Sequence, residues 1–128
     1  PEVKAKAESF LTALAELVGN VTPPPPPPQG ARIVYRRTSL IKGPLTAFGY
    51  DYLSDRLGED RVRSLGLLRF QGLRGSGSEY AYEVLNFVDG RRTAQEIRDM
   101  VSAIYGPIPL ELVLEYLRAL SEIGVIEQ

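Results

Sequence analysis

Apolar residues recur at three- and four-residue steps in several stretches of this chain, and the first such stretch begins at once. Val3, Ala7, Phe10, Leu11, Leu14, Leu17 and Val18 fall on one stripe of an amphipathic helix over 2–18, while Lys4, Lys6, Glu8 and Glu16 lie off it. Gly19-Asn20 supplies the stop signal. A stripe of this kind needs a surface to cover: the chain's own core, a parent protein, or a neighbouring copy. Phe10, Leu14 and Leu17 are its expected anchors.

Next comes an uninterrupted run, Pro23, Pro24, Pro25, Pro26, Pro27 and Pro28. Each ring fixes φ and removes a backbone donor, so the run predicts a stiff polyproline II rod. It divides an N-terminal helix (1–20) from the rest through a linker (21–30). Such a rod is a spacer, a ligand for an aromatic groove, or a site for extracellular glycosylation.

Beyond the rod the period changes. Ala31-Arg32-Ile33-Val34-Tyr35-Arg36 has the β-branched and aromatic content of a short strand. Lys42-Gly43-Pro44 reads as a turn. A helix is predicted over Thr46 to Leu57, with Phe48, Tyr52, Leu53 and Leu57 buried, and a shorter one over 59–67, with Val62, Leu65 and Leu68 inward. Arg74-Gly75-Ser76-Gly77-Ser78 invites a phosphate-cradle reading, but it lacks the Lys-[Ser/Thr] of a P-loop and no strand precedes it. Ser76 with Glu79 fits a capping box better.

The last fifty residues are the most regular. A helix over 79–88 offers Tyr82, Leu85 and Val88, and Asp89-Gly90 turns the chain. Thr93 and Glu96 form a second capping box, opening a helix with Ile97, Val101, Ile104 and Tyr105 inward, which Gly106-Pro107 ends. Pro109 suits the first turn of a helix with Leu110, Val113, Leu114, Leu117 and Leu120 on its apolar face. Gly124 stops it, and Val125-Ile126-Glu127 can close the chain as a short strand. The expected fold is mainly α with short β: an N-terminal helix, a polyproline rod, then a compact helical region (31–78) ending in a winged helix-turn-helix unit (79–128).

Composition narrows the chemistry. The 128 residues include no histidine and no cysteine. That removes a histidine-dependent triad, a cysteine nucleophile, a zinc hydrolase centre and an iron–sulfur cluster from this polypeptide. Tyr50, Asp51, Tyr52 and Asp55 make the densest acid and phenol cluster, with the two carboxylates at i and i+4. No catalytic residue, cofactor or metal is assigned, and the chain is expected not to be an enzyme. Net charge is −1, which gives no global pull toward nucleic acid or anionic membrane, and no apolar run approaches a membrane span of about 20 residues. Glu111, Glu115 and Glu122 outnumber Arg118 on the helix that would read DNA, and Arg91, Arg92 and Arg98 alternate with Asp89, Glu96 and Asp99.

The string Leu85-Asn86-Phe87-Val88-Asp89-Gly90-Arg91-Arg92-Thr93, followed by Glu96-Ile97 and a closing Leu117 to Val125, resembles the winged-helix domain of PqqD-like proteins. That resemblance covers about residues 79–128 and implies a peptide-binding module that pairs its ligand with an edge strand. Ala31 to Arg36 or Val125 to Glu127 is the expected edge. The region from Arg36-Arg37 to Gly43-Pro44-Leu45 is similar to a C-terminal extension of bacterial secreted zinc aminopeptidases of the transferrin-receptor-like family. This second resemblance implies a non-catalytic tail in an extracellular or cell-surface setting. The chain opens at Pro1 directly in a charged helical pattern, as expected of a piece processed from a longer protein, and the helix 2–18 would then close the peptidase domain.

Three functions follow as expectations. One is a structural or protein-interaction module that assembles into a homo-oligomer or filament, or docks on a parent peptidase domain, through its N-terminal helix and polyproline arm. The others are a peptide-binding module and a winged-helix DNA reader, the last disfavoured by charge.

Overall fold

A computed structural model describes residues 29–39, 41, 43–47 and 49–128. The expected N-terminal helix with Phe10, Leu14 and Leu17, the run Pro23 to Pro28, and the positions Lys42 and Phe48 lie outside the described residues. The described chain is mainly helical with a few short antiparallel strands. In order it forms β1 (Arg36–Arg37), β2 (Thr46–Ala47), β3 (Tyr50–Asp51), α1 (Tyr52–Leu57), α2 (Glu59–Ser64), a 3-10 turn (Gly66–Arg69), α3 (Gly77–Asn86), α4 (Ala94–Tyr105), α5 (Leu110–Glu122) and β4 (Ile126–Glu127).

α5 is the central element because its apolar face is unusually wide. Leu110, Val113, Leu114, Leu117 and Leu120 follow the predicted stripe, and Tyr116 and Ala119 are buried beside it. Ile97 and Val101 of α4 and Tyr80 and Val84 of α3 meet α5 in one cluster that also takes in Tyr35, Leu53, Leu65 and Leu67 from the earlier half of the chain. Each such aliphatic side chain, fully buried, contributes about 1.5–3 kcal/mol.

The capping signals act as the sequence predicts. Thr93 Oγ1 accepts from the Glu96 backbone N–H, and Glu96 Oε1 accepts from that of Thr93, each at 3.1 Å. At α3, the Glu79 carboxylate accepts from both the backbone N–H and the hydroxyl of Ser76. These contacts satisfy donors that a helix start leaves orphaned. Gly106, at φ +112°, ends α4, and α5 leaves at 116° after the four-residue break 106–109. Tyr80 Oη fixes this corner by donating to the Gly106 carbonyl at 2.7 Å.

The β content departs from the sequence reading. Residues 29–32 form a turn, and the segment expected to be a strand over Ala31 to Arg36 pairs only at Val34, opposite Thr93, and at Arg36–Arg37, opposite Glu127 and Ile126. The carbonyls of Ala31 and Ile33 go instead to the N–H groups of Gln95 and Ala94, at 3.0 and 2.9 Å. The free donors of α4's first turn thus compete successfully for this backbone.

The helix expected over Thr46 to Leu57 exists only from Tyr52. Gly49 at φ +84° lets β2 fold back on β3, with Thr46 facing Asp51 and Ala47 facing Tyr50. Asp51 then caps α1 by accepting from the Leu53 N–H at 3.0 Å. The second short helix likewise ends at Ser64, because Leu65 turns extended to bury itself, and the chain resumes as the 3-10 turn. Two expected core residues face solvent: Tyr82 is 65% exposed and Ile104 42%. α3 starts at Gly77, and its buried register runs through Tyr80, Ala81, Val84 and Leu85.

Candidate functional site

Position 82 is exposed because α3 has two used faces. Tyr80 and Val84 point into the core, while Ser78, Ala81, Tyr82, Leu85 and Asn86, at i, i+3, i+4, i+7 and i+8, line one wall of an open groove of about 1020 Å³. The opposite wall is the chain that climbs from β1, with Thr38, Ile41, Pro44 and Leu45. Leu53 of α1, Leu68 of the 3-10 turn and Tyr116 of α5 also line the groove. Its lining is predominantly apolar, and on the α3 side Ser78, Tyr82 and Asn86 are exposed while Ala81 and Leu85 are buried.

Polar groups gather where Arg37, Asp51 and Tyr116 meet. Burial pushes the Tyr116 hydroxyl up to about 12, with the Asp51 charge adding to that shift and the Arg37 charge opposing it. Asp51 is already committed, accepting from the Leu53 N–H and, through its other oxygen, from Ser54 Oγ, both at 3.0 Å. Arg37 donates from Nη2 to the Gly43 carbonyl at 3.4 Å, and its buried Nε finds no acceptor among the described residues.

The acid and phenol cluster does not come together as a reactive site. Tyr50 Oη donates to Asp55 Oδ2 at 3.0 Å on the surface, and this bond to the carboxylate is the main reason the Tyr50 hydroxyl is held above its ordinary value. Asp51 lies outside the helix as its cap, so the two carboxylates do not share a helix face. Among the described residues no group of three or more Asp and Glu is arranged to hold a metal ion.

Several of the arginines are paired with carboxylates. Arg36 pairs with Glu127 at 3.0 Å, Arg61 with Glu122 at 2.8 Å and Arg92 with Asp89 at 3.2 Å. Arg98 Nε sits 2.7 Å from Asp99 Oδ1, close enough for charge pairing though off the direction of a hydrogen bond. The Asp89-Gly90-Arg91-Arg92-Thr93 string proves to be turn chemistry: Asp89 Oδ1 accepts from the N–H groups of Arg92 and Arg91 at 2.9 Å, and Gly90 adopts φ +79°. Those two bonds hold the Asp89 carboxyl below its usual range.

The groove is the feature that sequence reading missed. Its only trace there is the apolar stripe on α3, where Tyr82 and Leu85 were both assigned to the core; Leu85 is buried and Tyr82 is not. The predicted interaction residues Phe10, Leu14, Leu17 and Pro23 to Pro28 lie outside the described residues, so the structure does not place them against it. No single helix among the described residues is long and apolar enough to cross a membrane. Comparison with protein-family models, with curated proteins and with solved structures finds no match for this chain.

Proposed function

We propose that this chain is a non-catalytic protein-interaction module whose groove receives an apolar, amphipathic peptide segment in helical form. The observation that carries the reading is the open groove of about 1020 Å³ along α3, where the exposed Ser78, Tyr82 and Asn86 stand beside the buried Ala81 and Leu85. Helix-in-groove recognition uses anchors at i, i+3, i+4 and i+7, the spacing a partner needs to interlock with such a face. Strand addition is less well served. β1 is paired with β4 on one side, its neighbour Val34 is bridged to Thr93 on the other, and β4 is only two residues long. The proposal therefore keeps the peptide-binding role that the PqqD-like resemblance implies and moves it from a strand edge to a helix face.

The α4–α5 corner at 116° has the angle of a helix-turn-helix, and β4 follows as a minimal wing, so a winged-helix relationship belongs to the same proposal. DNA reading does not. Seven of the thirteen residues of α5 are buried, and its exposed Glu111 and Glu122 oppose a single Arg118.

Panning a random peptide display library on the purified chain tests the reading. Sequences with apolar residues at i, i+3, i+4 and i+7 should be enriched, and Tyr82→Asp should lose them while keeping its circular dichroism spectrum. Equal enrichment on both proteins would sink it.

A further inference from the structure

The two shortest helices stand apart from the packing that joins the other three. α1 packs chiefly on α2, and α2 on the 3-10 turn, while neither has a broad contact with α3, α4 or α5. β2 and β3 pair with each other, and the Tyr52 N–H at the start of α1 donates to the Leu45 carbonyl at 2.8 Å. These four elements therefore bond mainly among themselves. Of the described residues in 45–64, Leu53 alone is buried, at 5% exposure, and Leu45, Tyr52, Leu57 and Val62 are partly covered. Among the described residues, the hydrogen bond that reaches from these elements to α5 is Arg61 Nη2 to Glu122 Oε1 at 2.8 Å, between side chains about half exposed.

The chain on either side is held to the body. Thr38 donates from its hydroxyl to the Gly124 carbonyl at 2.6 Å and from its N–H to the Val125 carbonyl at 3.1 Å. At the exit, Leu65 is fully buried and the Gly66 N–H donates to Glu115 Oε1 at 2.8 Å. Helices of six residues fall far short of the roughly 12–15 that hold in water without packing, so α1 and α2 unwind when they leave the body. We infer that β2, β3, α1 and α2 form a flap that opens as a unit, well below the free energy of global unfolding, pinned by Leu53 and latched by Arg61 on Glu122. Leu45, Thr46, Asp51 and Leu53 belong to this flap and line the groove together with α3, so its opening takes away part of the groove's wall. By linkage, an occupant that touches the flap holds it shut. The flap stands on its own packing, and only its response to a peptide rests on the reading above.

Native-state hydrogen exchange on the full chain, read at the bonded amides of Tyr52, Gly58 and Val62 and along α5, tests the flap. Leu53→Ala should speed those three amides by more than about ten-fold, and Arg61→Ala by up to about five-fold. A substitution elsewhere in the core separates a flap from general softening. Ile97→Val in α4 should speed the α5 amides roughly two- to ten-fold through global unfolding and leave the flap amides unchanged, because the flap opens with α4 still packed. Flap amides that exchange as slowly as those of α5, or that speed up alongside them in Ile97→Val, overturn the inference. That comparison needs only a conservative variant, so it decides the matter even if Leu53→Ala fails to fold. A library peptide that binds the groove should, at about ten times its Kd, slow the flap amides about ten-fold. A bound peptide that leaves them unchanged overturns the gating of the groove. If no peptide binds, the peptide-binding reading fails while the exchange rates still decide the flap.

Discussion

Tyr116 carries two roles in one side chain: its ring completes the core around α5, and its hydroxyl end meets the polar corner of the groove. Burial raises its pKa to about 12, against an ordinary tyrosine value of about 10. A neutral acid whose folded pKa is raised contributes stability that is complete below the unfolded value and is lost as pH climbs through the folded one. The unfolding free energy should therefore fall by about 2–3 kcal/mol between pH 10 and 12, with Tyr80 and Tyr105, also raised by burial, adding to the loss. Urea titrations across that window check it. Tyr116→Phe should flatten the slope, and an unchanged slope would show that the hydroxyl is solvated. Gly77 is a second informative residue. Helix propensity alone predicts that Gly77→Ala gains up to about 1 kcal/mol. An added Cβ there would collide with the backbone of Leu67 and Leu68, however, so a loss of about 1–3 kcal/mol is expected in denaturant midpoints.

At the scale of elements, the ends of α3, α4 and α5 were legible because their signals are local. A Thr with Glu three residues on, a Gly at positive φ and a Pro at a helix start act within one turn of chain, so sequence suffices to place them. Thr93→Ala should cost about 1 kcal/mol by thermal melting, through the orphaned Glu96 N–H. The region before α3 was harder to read for a physical reason. Over Thr46 to Leu57 the apolar spacing satisfies a helix, but Gly49 permits a reversal and Asp51 can cap only one of the competing structures. Tyr82 was misassigned similarly: periodicity reports an apolar stripe, not whether the stripe meets the core or a groove. Both outcomes remove apolar surface from water once a partner is present.

Among the described elements, α5 packs against α4, the 3-10 turn and β4, while α2 reaches it through the surface pair Arg61–Glu122. α2 has no buried residue, and its ion pairs are surface contacts worth well under about 1 kcal/mol each, whereas α5 buries residues on most of its circumference. Native-state hydrogen exchange should accordingly show α5 amides opening only with global unfolding and α2 amides opening at a lower free energy; equal protection would contradict this picture of the core. What the sequence determined by itself is set by neighbours in the chain: the mainly helical class, three C-terminal helices with their caps and stops, and the lack of any histidine or cysteine chemistry. The tertiary structure alone decided the pairing of Arg36–Arg37 with Ile126–Glu127, the surrender of the Ala31 and Ile33 carbonyls to the start of α4, and the groove along α3. Each of those depends on which of several chemically equivalent partners is brought within reach, and reach is a property of the folded chain rather than of its local sequence.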